Sequence, residues 1–92
     1  MQKLNMVDSM QIDDMVDELK YESWVVPNTT TTVVAAIMPD NFVVALGTSA
    51  TVSSENFNAD IGYDIALNDA KQKATDKLWE LKGWELHQQL NN

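Results

Sequence analysis

The sequence predicts an α+β fold in a single domain, residues 1–92, built from an N-terminal helix, an antiparallel β-hairpin, a long C-terminal helix and a short terminal apolar segment. Two patterns predict it: β-branched runs on either side of a polar turn in the middle of the chain, and apolar residues at helical spacing before and after them. Ninety-two residues leave no room for a second core, and self-association often supplies the burial that so small a chain lacks.

The first helix is expected over residues 9–21. Ser9 is a suitable cap, and Ile12, Met15, Val16 and Leu19 fall on one stripe with Asp13, Asp14, Asp17 and Glu18 opposite. The acids near its start and Lys20 near its end suit the helix dipole. Pro27-Asn28 then breaks the chain. TTTTVVAAIM and FVVALG follow as strands, joined by Pro39-Asp40-Asn41, whose side chains favour a tight turn. Val33, Ala35 and Ile37 share one face, and Val34, Ala36 and Met38 the other. Both faces are apolar, so the hairpin is expected between layers or against a second subunit.

Ser53 or Ser54 is the expected cap of the long helix, with Glu55 in its first turn. Phe57, Ile61 and Ile65 repeat every four residues, and the stripe drifts to Ala66, Ala70, Ala74 and Leu78. Gly62 inside this helix costs about 1 kcal/mol against alanine, so a close approach by a strand, a helix or a ligand should compensate. Gly83 is expected to stop the helix, leaving Trp84, Leu86 and Leu90 as the terminal segment.

Composition excludes several functions. There is no cysteine, hence no disulfide, zinc-thiolate site or thiol nucleophile. The chain has no arginine, and its net charge of −8 lies wholly in residues 1–64, where ten acids face two lysines. Duplex nucleic acid and anionic membranes are therefore poor partners. The first ten residues lack the apolar core of a signal peptide, which leads to the expectation of a cytoplasmic protein.

Catalytic groups are scarce. His87 is the single histidine and has no nucleophile beside it in sequence. Asp13/Asp17 and Asp60/Asp64 stand one helical turn apart, yet no calcium-type loop accompanies them, and solvated helix faces are the ordinary reading. No phosphate loop or nucleophile elbow is present, so the expectation is a protein that is not an enzyme and uses no cofactor or metal. Binding is better supplied: Phe42, Phe57 and Tyr63 offer rings for stacking, and Asn56, Asn58 and Asn68 offer amides.

The order TTTTVV, a turn ending in Asn-Phe, GTSATVSSENFNADIG, IALNDA and KLWELKGWEL resembles a family of small phage proteins named after gene products of coliphage N-four and phage Sf-six. The likeness runs through residues 29–90. That family is in turn similar to the first Thoeris anti-defence family, phage sponges that sequester cyclic ADP-ribose-type signals. The resemblance implies a homo-oligomeric binding protein of the host cytoplasm, with pockets between subunits and a cyclic nucleotide as its small-molecule partner.

The ligand-binding residues expected on this basis are Phe42 and Tyr63 flanking a ring, with Ser49, Asn56 and Asp69 hydrogen-bonded to ribose or base. The sequence departs from the family pattern at Tyr63 and Leu67, where basic residues are expected, and the span from Ile65 to Trp79 is about one helical turn longer. Lys71, Lys73 or backbone N–H groups are the remaining candidates for phosphate. The alternative function is an acidic phage protein that binds and inhibits a host protein.

Overall fold

The stretch TTVVAAI forms the middle strand of the molecule. The computed structural model describes residues 9–90. Along the chain run α1 (Ser9–Asp17), β1 (Lys20–Val25), β2 (Thr31–Ile37), β3 (Val43–Ala50), a 3-10 turn (Ser54–Asn56) and α2 (Ala59–Leu90). The strands form one antiparallel sheet in the order β1-β2-β3. This is the expected α+β architecture with one strand more than the hairpin predicted from sequence.

That extra strand is the main correction. The helix expected to run to Tyr21 ends at Asp17, and Glu18 and Leu19 close it with hydrogen bonds to the carbonyls of Asp14, Met15 and Val16. Lys20 to Val25 then pair residue by residue with Ile37 to Thr32. Pairing with a ready-made strand overrides the modest helical preference of these residues, since propensity is only a weak prior. Ser9 is the first described residue and is already helical, so the capping expected of it lies outside the described residues.

The turns follow their sequence chemistry. Asn41 takes a left-handed φ of 72°, and the Phe42 N–H donates to Asp40 Oδ1 at 3.2 Å. Asn28, at φ 64°, does the same work between β1 and β2. Both are asparagines, the residue that tolerates this region best after glycine.

Helix α2 covers one face of the sheet. Its buried stripe is Gly62, Ala66, Ala70, Ala74 and Leu78, set against Thr32, Val34, Ala36 and Val44, with Ile12 of α1 completing the core. The stripe begins at Gly62, whereas sequence spacing placed Ile61 and Ile65 on it; both isoleucines are exposed. Small residues let the two backbones approach closely. A Cβ on Gly47 would lie 2.2 Å from the Ala66 carbonyl oxygen and from the Ala70 nitrogen, so only glycine fits there.

Gly83 does not stop the helix, which continues to Leu90. Beyond Leu78 no residue of α2 is buried, and its length of about 48 Å accounts for most of the 56 Å long axis. No helix among the described residues is long and apolar enough to cross a membrane.

The opposite sheet face stays open. Trp24 stands beside Val33, Ala35 beside Leu46, and Ile37 beside Val43, with Lys20 and Glu22 on the β1 rim. Trp24, Val43 and Leu46 are each about half exposed. Of the two expectations for the apolar hairpin, a layer on each side or a second subunit, the described residues supply no layer on this side.

Candidate functional site

A cleft of about 120 Å³ lies where the end of β3, the 3-10 turn and the first turns of α2 meet. Its strand side carries the hydroxyl residues Thr30, Ser49 and Thr51. The Thr30 hydroxyl donates to the Thr51 carbonyl and ties the start of β2 to the chain leaving β3. The 3-10 turn, closed by Asn56 N–H to Ser53 O at 3.2 Å and Phe57 N–H to Ser54 O at 3.3 Å, sets Asn56 and Phe57 into the wall. Ile61 and Ile65, one turn apart on α2, form the apolar side, which explains why they are exposed to solvent and not buried under the sheet.

Asn58 organises the helix start. Its Oδ1 accepts from the N–H of Asp60 at 3.0 Å and of Ile61 at 3.1 Å, and its carbonyl accepts from the Gly62 N–H at 2.9 Å. These are cap interactions, so α2 starts at Ala59, later than the Ser53 or Ser54 expected. Ser53 makes no side-chain capping bond to the 3-10 turn.

Gly62 forms part of the cleft floor for a packing reason. A Cβ there would meet Thr32 Oγ1 at 3.0 Å. Thr32 is 3% exposed, and its hydroxyl has no hydrogen-bond partner among the described residues. The strand's approach thus supplies the compensation that a glycine inside a helix requires.

Of the five residues expected to bind ligand, Ser49 and Asn56 line this cleft. The other three lie elsewhere. Phe42 is at the far end of β3, about 23 Å away along the strand, and is exposed. Tyr63 is partly exposed on α2 outside the lining. Asp69 is nearly two helical turns beyond Gly62, where its Oδ2 accepts from the Thr48 N–H at 3.0 Å and pairs with Lys73 at 3.0 Å. That backbone bond first, and Lys73 second, hold the Asp69 carboxyl below its usual value.

Leu67, where the resemblance leads one to expect a basic side chain, packs against the core. Lys71 sits over the Tyr21 ring at 5.6 Å. Burial, and then the charge of Asp17, push the Tyr21 phenol up. Neither Lys71 nor Lys73 reaches the cleft lining.

Sequence reasoning singled out Phe57 and Asn58 only as general candidates and did not bring Thr30 and Thr51 into the site. Asn58 carried a usable signal, since an asparagine followed by an acid in the first turn is an N-terminal signature. The threonines carried none, because only β2–β3 pairing brings residues 30 and 51 together.

His87 is exposed, with its ring 5.5 Å from that of Trp84. Among the described residues no cluster of three or more histidine, cysteine or carboxylate groups is placed to hold a metal ion.

Neither a curated protein nor a solved structure matches the chain. A family model does, over residues 7–90. Because that match takes in α1, the whole sheet and α2, the chain belongs to the phage protein (N4 Gp49/phage Sf6 gene 66) family.

Proposed function

We propose that this phage accessory protein works by capture without catalysis, sequestering a small cyclic nucleotide of the cyclic ADP-ribose type in the cytoplasm of the infected cell. The observation that carries the reading is the cleft itself. Ser49, Thr30 and Thr51 present hydroxyls, Asn56 an amide and Phe57 a ring, which is the mixture of apolar wall and few polar groups that small-molecule sites use. The choice of ligand follows the resemblance of the sequence to signal sponges.

At about 120 Å³ the cleft is below the roughly 300–1,000 Å³ of a complete small-molecule pocket. In this reading a second copy of the chain closes over the exposed part of the ligand, and the protein acts as a homo-oligomer.

The test is thermal unfolding followed by tryptophan fluorescence, with and without cyclic ADP-ribose isomers and cyclic di- and trinucleotides. A ligand at 100 times its dissociation constant adds about 2.7 kcal/mol to the native state. For a chain of this size that raises the midpoint by more than about 10 °C. No shift with any compound sinks the proposal.

The second reading, inhibition of a host protein, is favoured by the open apolar sheet face around Trp24 and Leu46 in a chain of net charge −8. It requires a specific host protein to co-purify with the chain and to be lost on Leu46→Lys.

A further inference from the structure

The charged residues next in sequence to the cleft lining are all acids. None of its lining residues is ionisable. Their neighbours in sequence, Glu55, Asp60 and Asp64, are exposed acids, and the chain has no lysine between Lys20 and Lys71. Lys73 is engaged by Asp69, and Lys71 lies over Tyr21.

Among the described residues the other source of positive potential is the N-terminus of α2, and three of its N–H groups already have acceptors. Asp60 and Ile61 give their N–H groups to Asn58 Oδ1, and Gly62 gives its own to the Asn58 carbonyl. Among the described residues, a phosphate placed here would lose its hydration and meet no cation in the lining; of the first-turn donors only the Ala59 N–H is left, and Ala59 does not line the cleft.

Size points the same way. An apolar cavity of roughly 150 Å³ holds one benzene, so a cleft of about 120 Å³ has room for a single ring. We infer that the cleft binds the uncharged ring portion of its ligand, a ribose or a base, through Ser49, Asn56 and Phe57, and leaves every phosphate outside. This rests on the capture reading above and specifies which part of the ligand this chain's own residues hold.

The test uses the full chain and three probes: cyclic ADP-ribose, adenosine and inorganic pyrophosphate, each titrated by calorimetry at 50 and 500 mM NaCl. The expected result has four parts. Adenosine binds within about tenfold of cyclic ADP-ribose, and pyrophosphate fails to displace either at millimolar concentration. Adenosine affinity changes less than about twofold with salt, because a neutral ligand has no charge to screen. Asn56→Ala, at an exposed position on the 3-10 turn, weakens both ligands by the same factor, about tenfold.

Cyclic ADP-ribose binding more than 100-fold tighter than adenosine, displaced by pyrophosphate and weakened by salt, overturns the inference and leaves the capture reading standing. Binding of none of the probes overturns the inference, and the capture reading falls with it when the cyclic ADP-ribose isomers and cyclic oligonucleotides give no thermal shift either.

Discussion

Asp69 shows how one side chain can hold an edge. β3 is an outer strand, and the Thr48 N–H that donates to Asp69 is one it does not give to β2. The carboxylate satisfies that donor and sets a charge against the strand edge, which discourages another chain from pairing there. Because the folded-state value is lowered, the contribution to stability is present above the ordinary carboxylate value of 3.8 and is lost as pH falls below it. Asp69→Asn should therefore cost less than about 1 kcal/mol at pH 7, the pair with Lys73 being exposed. Wild type and variant should converge in acid. Urea unfolding at a series of pH values from 7 downward checks this, and a difference that does not shrink as the pH falls below 3.8 would contradict it.

At the scale of elements, the three glycines separate by what surrounds them. Gly47 lies directly under the backbone of α2, and a methyl group there must push helix and sheet apart. Gly47→Ala should cost about 1–3 kcal/mol or more, as overpacking does. Gly83 has nothing within 4 Å of an added Cβ and sits inside a continuous helix. Gly83→Ala should stabilise by up to about 1 kcal/mol through helix propensity alone. Opposite signs from one chemical change are the expected outcome of thermal unfolding, and equal signs would refute the packing account. Gly62 falls between, because Thr32 Oγ1 at 3.0 Å has to give way.

For the whole molecule, the unequal treatment of the two sheet faces matters most. One face is sealed by α2, while the other shows Trp24, Val33, Ile37, Val43 and Leu46 with a single Lys20 and Glu22 at the rim. A face this apolar and near neutral, on a chain of net charge −8, is where a second copy would meet the least electrostatic repulsion. Under the homo-oligomeric reading, this face adds a contact between copies apart from the one that closes over the cleft, and Trp24→Glu should lower the mass found by sedimentation while leaving the circular dichroism unchanged. A wild-type chain that is already monomeric at high concentration would contradict that reading.

Sequence alone determined the fold class, β2, β3 and their turn, and the existence of α2. These are local properties: β-branched runs, asparagine and aspartate in turns, and four-residue spacing leave marks in a short window. Tertiary structure decided the rest. β1 exists because β2 offers a partner, against a helical pattern that ran on through Leu19. The buried stripe of α2 keeps Ala66, Ala70, Ala74 and Leu78 where the spacing put them but begins at Gly62 and not at the isoleucines, because close contact with the sheet needs small residues. The site changed for the same reason: Ser49 and Asn56 converge because β3 ends where α2 begins, whereas Phe42 sits at the other end of the same strand. Spacing along a chain records which residues share a face, and only the packing of one element on another records which faces meet.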